Sequence, residues 1–406
     1  MGKDRMSRQV FNSTRQRATA GGTQSVTAQA ERTYRTKKEI NPLVDPKGLS
    51  HLGPVRPSRP RFDWIEELGL WQLTIGMPIT EETLLDTTGS MQNNVQIAFD
   101  RLPLSYDMYT EGESPVLSSY DVQIANATFG DVDDIHDCGY SDIQPIQPLL
   151  RSQFEMAGKI AEQLTMMIPS KNGCGNGKED PQFGIFAAAF LGNARLNAYG
   201  LRGYHFTVSD EPVVERIDAS WLTRLFGDDV FNAVTGNGHQ MTASSVPDLA
   251  TTVQHLQGHK HAFFLHVTGW SDYRHGLTSE DVARQWSRLY GPSHYIALPD
   301  GCNSLHLVKA VIIGLTEGVL SLSTAEDWLV SHGANRRLAA QIVKAVSHIP
   351  IGAQMEAENF GKLPPAGSYF RNKEDLWPIS DEELAEIQGQ TGADEDEEEG
   401  EVAWQL

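Results

Sequence analysis

The sequence predicts an α/β fold: a doubly wound, mostly parallel sheet flanked by helices. Three observations carry this expectation. Apolar runs of strand length alternate with helix-length segments from about residue 79 to 318, the pattern of parallel strands joined by right-handed crossovers. Hydrophobic residues make up 40% of the 406, enough for a large core. The stretch Thr83-Leu84-Leu85-Asp86-Thr87-Thr88-Gly89-Ser90-Met91 reads as a buried strand, a tight turn and a helix start. Open parallel sheets place ligands at that carboxyl edge.

Residues 1–60 carry a balance of +8, while the rest carries −28, for a net charge of −20. The first 60 residues are polar and poor in aromatics, and read as a flexible basic arm. Pro54, Pro57 and Pro60 mark its end as an extended linker. The body then runs from 61 to 350, with a helical extension from about 319. Residues 351–406 form a polar and acidic tail. Its run Asp394 to Glu399 is expected to be disordered. Trp404 and Leu406 beyond it hint at a docking peptide. The acidic body argues against a broad nucleic-acid surface, leaving only the basic arm for such contact. No apolar run reaches membrane-spanning length. The basic, polar start lacks a secretory signal's apolar core. Cys138, Cys174 and Cys302 are few, odd in number and far apart, which suggests a reducing, cytoplasmic compartment.

Within the body, Ile79 to Leu85 is the first core strand, and Met91 to about Leu104 has helical period. Tyr120 to Ala127 alternates with period two, a second strand. Asp131, Asp133, Asp134, Asp137 and Asp142 crowd the following loop without the spacing or terminal glutamate of an EF-hand. It reads as a solvated acidic loop that could rim a cation site. Phe154–Met167 is expected to be an amphipathic helix, its methionines filling core. Asn172 to Gln182 is glycine-rich, but Glu179 follows Lys178 where a phosphate loop needs a hydroxyl. Phe183–Leu191 should be a buried helix. Gly203 to Ser209 should be a strand ending at Asp210, with His205 a core histidine. Trp221–Phe226 and Leu249–Gln257 are expected helices. His261–Val267 is a strand, Ser279–Leu289 a helix, and His294–Leu298 the last strand. Helices follow at Leu305–Leu315, Ser323–Val330 and Arg337–Val346. His255, His259 and His261 straddle a helix end and a strand start, a poor arrangement for a soft-metal cluster.

The chemistry of the opening stretch follows from its residue types. Asp86, Thr88 and Ser90 present only oxygen, which suits a hard cation such as Mg²⁺. One carboxylate with two neutral hydroxyls leaves the cation positive enough to attract an outside carboxylate. Gly89 lets the backbone fold closely.

Asp86-Thr87-Thr88-Gly89-Ser90 resembles the Asp-x-Ser/Thr-x-Ser motif of von Willebrand factor A domains, where it forms the metal-ion-dependent adhesion site. The spelling is of the intracellular or microbial kind. The resemblance covers roughly residues 75–318, and only this motif within it is specific. It implies a doubly wound sheet and a Mg²⁺ site, with Mn²⁺ or Ca²⁺ as substitutes. Relatives carry Gly-Gly-Asp-x-Pro-Glu in the glycine-rich loop. By that alignment Glu179 takes the acidic position, Asp180 is the near alternative, and Gln182 replaces the usual Glu. Relatives also end the fourth strand in Thr-Asp-Gly or Ser-Asp, which implies Asp210 as a further metal residue. Glu211 is expected to point away. The implied function is non-enzymatic: binding a protein partner that offers a carboxylate to the metal, within a multiprotein system such as one with an AAA+ ATPase or kinase.

Two other readings fit some of the same residues. Asp86 could be the nucleophile of a haloacid dehalogenase-type phosphatase, forming an aspartyl phosphate. Against this, Thr88 stands where those enzymes usually need a second aspartate, and no Gly-Asp-Gly-x-Asn-Asp-like loop is present. Thr88 and Ser90 could instead merely cap the helix of a vestigial site. An aspartate buried at a strand end without cation or hydrogen bonds would be costly, which favours the metal.

Overall fold

A computed structural model describes residues 5–20, 25–49, 60–111, 114–133, 148–170 and 177–396. The helices are α1 (Arg5–Ala20), α2 (Ala28–Lys37), α3 (Pro46–Leu49), α4 (Asn93–Thr110), α5 (Gly158–Leu164), α6 (Gln182–Phe190) and α7 (Ala219–Phe226). They continue with α8 (Val230–Gly236), α9 (Leu249–His259), α10 (Ser279–Tyr290), α11 (Leu305–Thr316), α12 (Leu322–Ser331), α13 (Arg336–Val346) and α14 (Asp381–Asp396). The strands are β1 (Arg61–Ile65), β2 (Leu70–Ile75), β3 (Pro78–Asp86), β4 (Asp121–Phe129), β5 (Leu149–Arg151) and β6 (Gly203–Ser209). After them come β7 (Lys260–His266), β8 (Ser271–Asp272), β9 (Leu277–Thr278), β10 (Tyr295–Ala297), β11 (Pro299–Cys302) and β12 (Tyr369–Phe370).

The main sheet has six strands in the order β10-β7-β6-β3-β4-β5. All neighbours are parallel except the edge strand β5, which runs against β4. The chain starts at β3, winds outward through β4 to β5, then returns to the other side of β3 and winds through β6, β7 and β10. The winding reverses between β3 and β6, and the crevice beyond their carboxyl ends is where doubly wound sheets bind ligands.

Two apolar layers cover the sheet. One packs α4 and α11 with Leu85, Phe206 and Phe263. The other packs α6, α9 and α10 with Leu84, Ala125 and Phe264. Every residue of β3 is buried, as a strand covered on both faces requires. Three of those residues are acids; Asp86 ends the strand, and the other two each meet cations of a different helix or strand. Glu81 pairs with Lys309 at 3.0 Å, and Glu82 with Arg151 at 2.5 Å and Lys260 at 3.1 Å.

Several expectations need correction. The arm over residues 1–60 is not wholly loose. Ala18, Val26, Tyr34 and Val44 are buried, Arg15 pairs with Asp107, and the Arg151 amide donates to the Val44 carbonyl. Isolated apolar residues anchor it, which a polar composition conceals. The tail from 351 is likewise held as far as β12, which pairs with β2 in a small sheet completed by β1. Tyr199 donates to the Leu376 carbonyl beside it. The helix expected over Phe154–Met167 is only α5, because Ala157 takes a left-handed φ of 52° and Glu155 bridges Ile124 instead. His205 is a buried core residue whose Nε2 meets Thr207 Oγ1 at 3.1 Å. Residues 397–399 of the acidic run, Trp404 and Leu406 lie outside the described residues, as do Cys138, Cys174, Asp134, Asp137 and Asp142. Among the described residues, no helix is long and apolar enough to cross a membrane.

Candidate metal centre

The site is assembled from three loops at the β3/β6 switch point. Asp86 closes β3 with its side chain fully buried. Its Oδ1 accepts from the Thr88 amide at 2.9 Å and the Thr88 hydroxyl at 2.7 Å. Its Oδ2 accepts from Ser209 Oγ at 2.6 Å, across from the last residue of β6. Thr87 turns the other way and donates to the Phe129 carbonyl, fixing the turn to β4. Gly89 is exposed and Ser90 half-buried, so the motif opens to solvent on that side.

Ser90 connects the first loop to the second. Its hydroxyl lies 3.1 Å from Thr88 Oγ1 and donates to Asp210 Oδ1 at 2.9 Å. Asp86, Thr88, Ser90 and Asp210 therefore form one hydrogen-bonded chain of oxygens. The third loop is fastened to the segment after β6: Glu179 donates its amide to the Pro212 carbonyl, and Val214 donates to the Glu179 carbonyl. This bridge brings the Glu179 carboxyl to the site. Asp180 is committed elsewhere, accepting from the Val132 amide and from Gln182.

Electrostatics single out the same groups. Burial raises the Glu179 carboxyl well above the ordinary range, and the charges of Asp86, Asp131 and Glu211 push it further. Asp210 is raised by burial and by Asp86 and Glu211. Glu211 is pushed up to about 7, by burial first and then by Asp86. The strongest charges acting on all three are negative. Burial without a counter-charge is costly. Among the described residues, Glu179 Oε2, on a residue only 2% exposed, has no hydrogen-bond partner.

Glu211 corrects the expectation that it points away. Strand alternation stops at Ser209, where the Glu211 amide donates back to Ser209 Oγ, and the turned carboxylate meets the side chains of Ser90 and Trp270. Asp131, assigned to a solvated loop, is buried and hydrogen-bonds with Glu179. Ser209 was overlooked, although a hydroxyl before Asp210 at a strand end was visible in the sequence. The histidines divide: His239 and His259 each meet the His255 ring edge-on, whereas His261 meets Gln354.

The donor set fits a hard cation. It offers carboxylate and hydroxyl oxygens, an unpartnered Glu179 oxygen and unbalanced negative charge. Among the described residues, no three His, Cys, Asp or Glu side chains are gathered to hold an ion by themselves. A cation here would therefore use the Thr88 and Ser90 hydroxyls with a carboxylate.

Compared with known proteins, the chain matches no family model and no curated protein. Among solved structures it is similar to the pilus adhesin SpaC of Lactobacillus rhamnosus GG. In one form the identity is 14% and the TM-score 0.39, over 63% of this chain and 34% of the adhesin. In the open conformation the values are 13% and 0.36, over 63% and 33%. The chain thus spans about a third of that adhesin's length.

Proposed function

We propose that the chain is a von Willebrand factor A-like interaction module that binds a protein partner through a Mg²⁺ ion held at the end of β3. The observation that carries this reading is the oxygen chain Asp86–Thr88–Ser90–Asp210, with Glu179 Oε2, which has no hydrogen-bond partner among the described residues, beside it. When bound, Mg²⁺ supplies positive charge that balances the buried acids and attracts a partner's carboxylate. Thr88 and Ser90 would hold it with Asp86, Asp210 or Glu179; Mn²⁺ or Ca²⁺ would substitute with altered geometry. Gly89 and Ser90 form the open side from which a partner would approach.

The phosphatase alternative is less well supported. Both Asp86 oxygens already accept hydrogen bonds and the side chain has no exposure, a poor state for a nucleophile. The proposal makes the chain a non-enzymatic component of a cytoplasmic multiprotein system, with an AAA+ ATPase or kinase as the class of companion. The test is isothermal titration with MgCl₂, followed by affinity capture from the native host with Mg²⁺ or EDTA. A single Mg²⁺ site and partners released by EDTA, both lost in Asp86→Ala, are expected. Equal capture by wild type and variant would overturn the reading.

A further inference from the structure

A second buried charge cluster lies against the sheet and reaches from β5 across β3 to β7, and it has the opposite sign. Arg151 closes the edge strand with its side chain fully buried, and Lys260 opens β7 with a side chain 1% exposed. One carboxylate serves both. Glu82 Oε1 accepts from Arg151 Nε at 2.5 Å, and Oε2 accepts from Lys260 Nζ at 3.1 Å. His205 Nδ1 stands 3.7 Å from the same carboxylate, and burial lowers the His205 pKa, so the ring stays neutral near pH 7. Two cations thus face one anion in the protein interior.

The excess is visible in the hydrogen bonding. Among the described residues, neither Nη1 nor Nη2 of Arg151 has a hydrogen-bond partner. A guanidinium keeps its charge in proteins, and its two terminal nitrogens carry four of its five donors. Leaving them unpaired in the interior is costly. Lys260 reports the same imbalance: burial, and then the Arg151 charge, pull its pKa down despite Glu82. Arg151 and Lys260 also converge in space. A Cβ placed on Gly192 would lie 3.1 Å from Arg151 Nη2 and 3.2 Å from Lys260 Nζ. Residue 192 is a glycine where both nitrogens press on the backbone. The Phe154 ring covers both cations, with its centroid 5.8 Å from Arg151 Cζ and 5.6 Å from Lys260 Nζ.

We infer that Arg151 and Lys260 form a buried binding site for a small monovalent anion, chloride in the cell, held by the Arg151 Nη donors near Gly192. Both cations are buried, and the single excess charge matches a halide. The site is independent of the metal centre and would tie β5, β7 and the end of α6 together.

The test uses the full chain. Its melting temperature is followed in sodium bromide or chloride up to about 0.2 M against sodium gluconate at equal ionic strength. A saturable halide-specific rise of about 3 °C or more is expected. Gly192→Ala places a methyl group between the two cations and should abolish the rise, as should Arg151→Met. If Arg151→Met does not fold, crystals of the wild type soaked in bromide decide. An anomalous peak within hydrogen-bond distance of Arg151 Nη1 or Nη2 supports the site. A water at that position, or identical melting in halide and gluconate, overturns it.

Discussion

Replacing Glu211 with glutamine should remove most of one pH dependence of stability, and its size can be worked out. The Glu211 carboxyl is pushed from 4.5 up to about 7, mainly by burial and then by Asp86. The folded state therefore holds this proton more tightly than the unfolded chain. Stability from the raised group is fully present below pH 4.5 and is lost as pH rises through 7. A displacement of that size corresponds to about 3 kcal/mol, or roughly 3–4 °C in melting temperature for a chain of this size. The buried histidines titrate in the opposite sense. His259 and His266 are lowered to about 4, so their contribution is present above 6.5 and is lost as pH falls. The difference between wild type and Glu211→Gln isolates the carboxylate. In EDTA, the melting temperature of the wild type should fall relative to the variant between pH 5 and 8 by roughly 3 °C. Adding Mg²⁺ should stabilise the wild type far more at pH 8 than at pH 5, because the cation replaces the protons that the acids have lost. Parallel pH curves for the two proteins, or a Mg²⁺ effect that is larger at pH 5, would refute the electrostatic account of the site.

Other residues give equally specific outcomes. Asp86→Asn keeps the side chain's shape but removes the charge that raises Glu179, Asp210 and Glu211; it should raise stability in EDTA by about 1–2 kcal/mol and abolish the Mg²⁺ response, checked by denaturant unfolding. Ser209→Ala removes the 2.6 Å hydrogen bond to Asp86 Oδ2 and should weaken Mg²⁺ binding about tenfold by titration calorimetry. Glu82→Gln leaves Arg151 and Lys260 with no carboxylate and should cost about 3–5 kcal/mol in urea unfolding. Deleting residues 1–49 exposes the edge of β5 and removes buried Tyr34 and Val44; a clear drop in melting temperature is expected by circular dichroism.

Much of this architecture was legible because apolar strands in a doubly wound sheet announce themselves. Ile79–Leu85 and His261–Val267 each fall within one or two residues of β3 and β7. The motif at Asp86 was legible for a local reason: a strand, a turn and a helix start lie within nine residues. Long-range features were not. Nothing near Glu81 or Glu82 says that their cations come from Lys309, Arg151 and Lys260, far along the chain. Helical period over Phe154–Met167 gave no warning of the positive φ at Ala157. Glu211 was misplaced because strand alternation was extended past Ser209, where a hydrogen-bonded turn reverses the chain. The arm was misread because composition averages over a segment, while burial there rests on single residues such as Val44.

Diffraction from crystals soaked in Mn²⁺, with data collected for anomalous signal, tests the central claim most directly. The account predicts one peak about 2.2 Å from the hydroxyl oxygens of Thr88 and Ser90, at the carboxyl ends of β3 and β6. Full soaking with no peak there, or with the ion bound elsewhere on the acidic surface, would contradict it.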